Sequence, residues 1–170
     1  MVSARHSLPR EYWFRPMVKL IRPSSLAHWR EAARLVSEYA ASLNVVLDFQ
    51  DFEHELAHLE EEYGGPGAAF LLARKDEEFV GCGAIRRFSD TACEMKRLYV
   101  GPHGQRRGIG RMLAATLIAE ARLLGYRTML LDTLPSMHGA HALYESLGFT
   151  PVPPYRFNPV QGATFLALAL

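Results

Sequence analysis

A segment rich in glycine and arginine, EMKRLYVGPHGQRRGIGRML, spans residues 94–113. It has the pattern of a strand, a loop and the start of a helix, whose first turn leaves backbone N–H groups unpaired at the positive end of the helix dipole. Gly108 and Gly110 have no side chain to keep a ligand away from those amides. Because Arg106 and Arg107 add charged, forked donors that suit phosphate oxygens, the segment predicts a site for a pyrophosphate group.

A second segment suggests a different chemistry. His54, Glu55 and His58 form the pattern H-E-x-x-H on a predicted polar helix, where two histidines one turn apart could hold zinc. Position 61 is a glutamate where the longer form of this pattern has a glycine, and spacing alone identifies no third ligand. A solvated helix face explains the same residues, so we predict no metal site and keep a zinc metalloprotease as an alternative.

The two glycines could also begin a dinucleotide-binding turn, with Asp132 ending the next strand. In such a turn the first glycine lies close to the end of the strand. Here Gly108 lies eight residues past Val100, and Leu113 occupies the place of the third glycine. The spacing therefore argues against a dinucleotide site.

The elements that must position these residues follow from hydrophobic periodicity and from glycine and proline breakers. The pattern predicts, in chain order, a strand, two helices, three strands, a helix, a strand, a helix and two strands. The predicted ranges are 17–23, about 26–43, about 51–62, 68–75, 79–88, 93–100, 111–125, 127–133, about 138–147, about 149–152 and 164–170. This order predicts a mixed α/β domain with helices on both faces of one sheet.

Composition excludes several classes of function. A net charge of +1 argues against broad capture of nucleic acid or of an anionic membrane, and no apolar stretch reaches the roughly 18 residues that a membrane span needs. Residues 1–16 lack the apolar run of a secretory signal, so we expect a flexible extension before a single domain of residues 17–170. Cys82 and Cys93 lie in apolar strand-like runs, which favours buried thiols in the cytoplasm over a disulfide.

Residues 105–110, QRRGIG, match the Gln/Arg-x-x-Gly-x-Gly/Ala signature of the Gcn5-related N-acetyltransferase (GNAT) family. The stretch ALYESLGF (142–149) resembles that family's closing helix and turn, and the order of elements matches from Met17 to Leu170. The resemblance implies the α/β fold of that family, with a central, mostly antiparallel sheet of about seven strands. It also implies transfer of an acetyl group from acetyl-coenzyme A to a primary amine.

The resemblance assigns residues to the cofactor. In the family, the strand before the loop pairs with pantetheine and the loop amides hold the pyrophosphate. The residues expected to bind the cofactor are Leu98, Tyr99, Val100, Gln105, Arg106, Arg107, Gly108, Ile109, Gly110, Arg111, Met137 and Ala140. One position departs from the family, because Met137 stands where many members carry an asparagine three residues before the alanine.

The resemblance also implies two catalytic residues. Glu94 falls where histone-type members keep a catalytic carboxylate, and Tyr144 matches the tyrosine that often protonates the leaving thiolate. A base is useful because a lysine-like amine, with a pKa of about 10.4, is almost entirely protonated at pH 7. On a regular strand Glu94, Leu98 and Val100 share one face, which would place the base beside the pantetheine arm.

The acceptor is expected to contact the first two helices and their connection, where Asp48, Asp51 and neighbouring polar residues favour a cationic amine. Tyr155, with Arg156 and Asn158, could close the other side. The residues expected to bind the acceptor are Phe49, Gln50, Glu53 and Tyr155. The acceptor itself stays open, as a small-molecule or peptide amine.

Two further interpretations concern assembly and activity. The apolar strand at 164–170 predicts a homodimer formed through that sheet edge. A non-catalytic acyl-coenzyme A binding module stays as an alternative, because a fold does not guarantee an activity. The presence of both Glu94 and Tyr144 favours an enzyme.

Overall fold

The computed structural model describes residues 17–43 and 49–170, with only the backbone of residues 49–51. The expected extension, residues 1–16, lies outside the described residues. The helices and strands are β1 (Val18–Ile21), α1 (Leu26–Ser42), α2 (Phe49–Ala57), α3 (Leu59–Tyr63), β2 (Ala69–Lys75), β3 (Glu78–Arg87), β4 (Ala92–Val100), α4 (Ile109–Leu123), β5 (Thr128–Thr133), α5 (His138–Ser146), β6 (Thr150–Pro151) and β7 (Thr164–Ala169).

The predicted order of elements is confirmed, with one difference in the second helix. That helix is two short helices, because His58 leaves helical geometry at φ −124° and ψ 28°. The first helix begins after a serine cap, because the Ser25 hydroxyl accepts a hydrogen bond from the backbone N–H of His28 at 3.3 Å.

The seven strands form one sheet in the order β1-β2-β3-β4-β5-β7-β6. Every neighbouring pair is antiparallel except β4 and β5, which are parallel. The pairing of β4 with β5 covers only Ala92–Glu94, although β4 continues to Val100. In the described part of the chain, the edge of β4 that faces β5 therefore has no partner strand after Glu94.

The core forms two layers because successive side chains of a strand point to opposite faces of the sheet. In β2, Leu71 packs on one face with Leu113 and Leu117 of α4. Phe70 packs on the other face with Trp29 of α1 and with α3. Helices therefore cover both faces, as predicted, and the sheet holds α4 and α1 on either side of β4.

A β-bulge in β4 changes which residues share a face. Arg97 has φ 57°, and the pairing of β3 with β4 slips by one residue beside it. Before the bulge, Met95 belongs to the α4 layer; after it, Leu98 and Val100 belong to that layer as well. Glu94 points to the opposite face. The expectation that Glu94, Leu98 and Val100 share one face is therefore wrong, because the extra residue inverts the alternation.

The structure also bears on the predicted state of the cysteines and on the predicted position of the last strand in the sheet. Cys82 and Cys93 are free and buried, as expected, and burial raises the pKa of each thiol to about 12. The expected edge position of β7 is wrong, because β7 lies between β5 and β6. No helix among the described residues is long and apolar enough to cross a membrane.

Candidate active site

The loop between β4 and α4 opens the first turn of α4 to a ligand. Gly108 is the N-cap residue in the left-handed region at φ 75°, and no side chain makes a capping hydrogen bond there. The side chain of Gln105 donates to the carbonyl of Val100 at 3.2 Å and ties the loop to the end of β4. The amides at the start of α4 are therefore left for a ligand, as a pyrophosphate site requires.

A cavity of about 650 Å³, which we call the loop cavity, lies between this loop, β4, α1 and α5. Its wall includes ten of the twelve residues expected at the cofactor, namely Leu98, Tyr99, Val100, Gln105, Arg106, Gly108, Ile109, Gly110, Met137 and Ala140. Arg107 and Arg111 are exposed and lie outside this wall. The guanidinium of Arg111 instead donates to the hydroxyl of Ser146 at 2.7 Å.

A second cavity of about 490 Å³, which we call the polar cavity, lies between α1, α2, α3, β3, β4, β5 and residues 156–160. Four cationic side chains line it, from Arg86, Lys96, Arg97 and Arg156. The two cavities share five lining residues, which are Tyr39, Leu43, Leu98, Met137 and Tyr144. The cavities therefore meet beside the unpaired edge of β4.

Tyr144 lies where the two cavities meet. It comes from α5 and is 6% exposed, with its ring packed edge-on against Phe149. Burial raises the pKa of its phenol well above the ordinary value of 10, and the charge of Asp132 adds to the rise. The hydroxyl therefore keeps its proton at neutral pH, as a general acid must.

Glu94 lies behind the wall of the polar cavity and lines neither cavity. Its carboxylate is 2% exposed. The hydroxyl of Tyr155 donates to Oε1 at 3.0 Å, and Arg156 Nε lies 3.3 Å from the same oxygen. On the other side, Arg86 Nε and Lys96 Nζ lie 3.4 and 3.9 Å from Oε2. One carboxylate thus has three cationic neighbours.

Lys96 is an unusually buried lysine, with 9% of its side chain exposed. Burial, helped by the charges of the nearby arginines, lowers its pKa from 10.5 to about 8, and Glu94 offsets only part of this fall. The ammonium group faces the polar cavity. At neutral pH it carries a charge in a place where water shields that charge poorly.

The H-E-x-x-H segment has a structural partner. Arg97 donates to both carboxylate oxygens of Glu55 at 2.8 and 2.7 Å, and the hydroxyl of Tyr63 donates to Oε1 at 2.7 Å. The rings of His54 and His58 stack on each other at 4.2 Å. No group of three potential metal ligands exists among the described residues. Glu55 is thus an ion-pair partner and not a free base beside a metal.

Of the residues expected to bind the acceptor, Glu53 and Tyr155 have described side chains. Glu53 is exposed on α2 and lines neither cavity. Tyr155 packs edge-on against Phe88 and Phe165, below Glu94, and also lines neither cavity. The side chains of Phe49 and Gln50 lie outside the described residues. Glu53 thus faces solvent and Tyr155 contacts Glu94, and the binding of the acceptor by these residues stays a prediction.

Sequence reasoning missed the cationic wall of the polar cavity. Arg86 lies directly opposite Glu94 in the antiparallel pairing of β3 and β4. The short turn between β3 and β4 fixes this register, so the pairing could have been predicted from the sequence. Arg97 gave no such signal, since it reaches Glu55 only because of the bulge.

The family model of GNAT acetyltransferases matches residues 29–149. The chain belongs to the GNAT family. An uncharacterised N-acetyltransferase of Schizosaccharomyces pombe is 37% identical over 138 residues, which cover 80% of this chain and 85% of that protein. Membership of this family confirms the predictions of an acyltransferase and of acetyl-coenzyme A as its donor.

Solved structures of GNAT proteins share this fold. An acetyltransferase from Streptococcus agalactiae superposes with a TM-score of 0.75 at 21% identity, covering 92% of this chain and 100% of that one. A putative acetyltransferase from Salmonella typhimurium, solved with its cofactor acetyl-CoA, gives a TM-score of 0.63 at 22% identity, covering 89% and 93% of the two chains. The predicted fold class is therefore confirmed.

Proposed function

We propose that this GNAT protein transfers the acetyl group of acetyl-coenzyme A to a primary amine, with the donor in the loop cavity and the amine in the polar cavity. The observation that carries this assignment is that the two cavities meet at Tyr144 and Leu98, beside an unpaired strand edge. A donor on one side and an acceptor on the other would bring their reacting atoms together there.

The residues of the loop cavity fit the donor. The uncapped amides at the start of α4 would hold the pyrophosphate, and Gly108 leaves room for it. The free backbone groups of β4 from Leu98 to Val100 would pair with the amides of the pantetheine arm. Arg106 would add charge at the phosphates, while Arg107 and Arg111 would contact them only from outside the cavity wall.

Tyr144 is the proposed general acid. Acetyl-coenzyme A supplies a thioester; as the amine nitrogen bonds to its carbonyl carbon and the carbon–sulfur bond breaks, the sulfur needs a proton. The Tyr144 hydroxyl keeps its proton at neutral pH and faces both cavities. It would therefore donate that proton to the departing sulfur.

Glu94 is the proposed general base. The attacking amine must lose a proton, and a buried carboxylate close to the polar cavity could take it. Because Glu94 lines neither cavity, we propose that the proton reaches it through a water molecule between Arg86 and Lys96. The three cations and the Tyr155 hydroxyl would fix the orientation of the carboxylate.

Calorimetric titration with acetyl-coenzyme A, followed by an assay for free thiol with a panel of amines, tests this function. We expect binding without any added metal, and thiol release only when an amine is present. Binding without thiol release for any amine would instead favour an acyl-coenzyme A binding module. We also propose a cytoplasmic location, which the free thiols of Cys82 and Cys93 support.

A further inference from the structure

The four cationic side chains that line the polar cavity have different anionic partners. Arg97 is fully engaged by Glu55 through two hydrogen bonds. The other three, Arg86, Lys96 and Arg156, converge on Glu94, and we call them the basic triplet. Arg156 has a second partner, because it donates to Asp132 at 2.6 Å.

The basic triplet has more hydrogen-bond donors than the protein uses. A guanidinium carries five N–H donors and an ammonium carries three. Within residues 17–43 and 52–170, the side chains of Arg86 and Lys96 make no hydrogen bond, since their approaches to Glu94 are ion pairs at 3.4 and 3.9 Å. Nε of Arg156 is buried and also lacks a hydrogen-bond partner there. Charged donors left unpaired in a cavity wall favour an anionic ligand.

The carboxylates that line the same cavity do not remove this preference. Glu55 is paired with Arg97, and Asp132 accepts from Arg156 and from Asn158 at 2.6 Å. Glu62 is the remaining carboxylate, and it comes from α3, a different element from those of the triplet. The pKa of Lys96 falls to about 8 mainly because the group is buried; the charges of Arg97, Arg86 and Arg156 add to the fall and that of Glu94 opposes it.

The position of the triplet limits the size of the ligand. Lys96 precedes Leu98 by two residues on β4, and Leu98 lines both cavities. Two residues of a strand span about 7 Å, and less where a bulge intervenes. An anion held at Lys96 would therefore lie only a few bonds away from an amine that reacts where the cavities meet. A cavity of about 490 Å³ has room for one molecule of that kind.

We infer that the acceptor is an amino acid, whose carboxylate is held by Arg86, Lys96 and Arg156 while its amine is acetylated. This inference rests on the proposed acetyl transfer and names its substrate class. It differs from the expectation of a cationic amine, because the three side chains that converge beside this cavity are themselves cationic. The Arg86 and Arg156 guanidinium groups suit the two oxygens of a carboxylate, and Lys96 adds its charge between them.

Matched pairs of acceptors test the inference. Each amino acid is compared with its carboxamide and with the amine obtained by removing its carboxylate, using thiol release and kcat/KM. We expect the amino acids to be favoured by about 10- to 100-fold, the range for hydrogen bonds to a charged group. Equal or better rates with the carboxamides and the decarboxylated amines would overturn the inference.

Single substitutions test which side chains hold the carboxylate of the acceptor. Arg86→Met and Lys96→Met should each lower the ratio of kcat/KM for an amino acid to kcat/KM for its decarboxylated amine by about 10- to 100-fold, mainly through the KM for the amino acid. Because both cations also contact Glu94, a loss of kcat shared by both acceptors is expected in addition. Arg86→Lys should keep part of the preference, because it keeps the charge. Arg87→Met is the matched control, since Arg87 is the next residue of β3 and its side chain is 63% exposed. An equal loss for both classes of acceptor would contradict a carboxylate site.

A binding measurement separates this inference from the proposed function. Amino acids are titrated into the protein loaded with coenzyme A, which has no acetyl group to transfer. Amino-acid binding that Arg86→Met weakens and Arg87→Met spares would support the carboxylate site even if the protein transfers no acetyl group. Failure of amino acids to bind, in a protein that binds acetyl-coenzyme A and acetylates other amines, would remove the inference and leave the function.

Discussion

The Arg97 guanidinium donates two hydrogen bonds to the Glu55 carboxylate, and this pair joins β4 to α2 across 42 residues of sequence. Arg97 occupies the bulge with a positive φ, and its guanidinium also lies 5.2 Å from the centre of the Phe52 ring. The pair therefore fixes α2 beside the polar cavity. It also explains a glutamate that the sequence pattern offered as part of a metal motif.

Replacing Glu55 by glutamine should destabilise the protein. The change leaves the Arg97 guanidinium, whose side chain is 11% exposed, without its counter-charge. Removing one partner of a buried ion pair costs about 3–5 kcal/mol. Urea denaturation should show a lower midpoint with an unchanged slope. Glu53→Gln, an exposed position on the same helix, should stay within about 0.5 kcal/mol, and a similar loss there would contradict a specific role for the pair.

The same pair should make stability depend on pH in the acid range. Burial alone would raise the pKa of Glu55, but the hydrogen bonds and charge of Arg97, with the Tyr63 hydroxyl, lower it to about 2 from 4.5. The folded state thus binds this proton less tightly than the unfolded state. The stabilisation is complete above pH 4.5 and is lost as the pH falls through about 2. The difference in the free energy of unfolding between wild type and Glu55→Gln should become smaller as the pH falls from 4.5 to about 2. A difference that stays constant over this range would contradict the role of the Glu55 proton.

Replacing Tyr144 by phenylalanine should slow acetyl transfer without weakening the binding of the donor. The variant lacks the proposed proton donor, so kcat should fall by about 10²- to 10⁴-fold. The KM for acetyl-coenzyme A should stay within a few-fold, because the ring is kept. Tyr39→Phe is the matched control, since Tyr39 lines the same two cavities. If Tyr39→Phe shows the larger loss in kcat, then Tyr39 is the acid.

Replacing Glu94 by glutamine should slow transfer at neutral pH and much less at high pH, where the amine loses its proton unaided. A pH profile of kcat/KM from 6 to about 10 measures this, because a lysine-like amine loses its proton at about pH 10. Tyr155→Phe removes only the hydroxyl that donates to Glu94 and should leave the profile shape intact. An equal loss at every pH would show that Glu94 orients the cations but takes no proton.

Replacing Gly108 by glutamate should abolish the binding of acetyl-coenzyme A. The new side chain adds negative charge at the start of α4, where the pyrophosphate is proposed to lie. Gly108 has a φ of 75°, so any side chain there also strains the backbone by roughly 1 kcal/mol. Gly125→Glu is the matched control, because Gly125 follows the other end of α4 with a φ of 85°. Both variants should be slightly less stable, and only Gly108→Glu should fail to bind in calorimetry.

The sequence predicted the elements well because each has a local cause. The helices follow the hydrophobic periodicity, and the apolar runs of β2 and β3 are bounded by short turns, so neighbouring residues are enough to place them. The bulge at Arg97 was not predicted, because Arg97 contacts Glu55, 42 residues away, in a pairing that depends on the whole fold. The extra residue places Glu94 on the opposite face from Leu98, which no pattern of period two anticipates.

The acceptor side of the site was harder to predict than the donor side for a physical reason. Most residues proposed to hold the donor belong to one continuous segment, from Leu98 to Gly110, so a single motif describes them. The polar cavity takes side chains from seven helices and strands and from the loops between them, and charges within it cancel in pairs such as Arg97 with Glu55. A count of acidic residues near Glu53 does not reveal how these charges are paired.

The short pairing between β4 and β5 has a consequence for the evolution of this fold. Only three residue pairs hold the two parts of the sheet together at that seam, so hydrogen bonds that a continuous sheet would make are given up where the strands part. Substitutions that drew the two strands together would add such bonds and raise the melting temperature. They would also close the gap beside β4 in which we propose that the donor binds. Selection for stability and selection for turnover therefore act in opposite directions where β4 and β5 part. A variant whose melting temperature is raised by closing these strands together should be inactive.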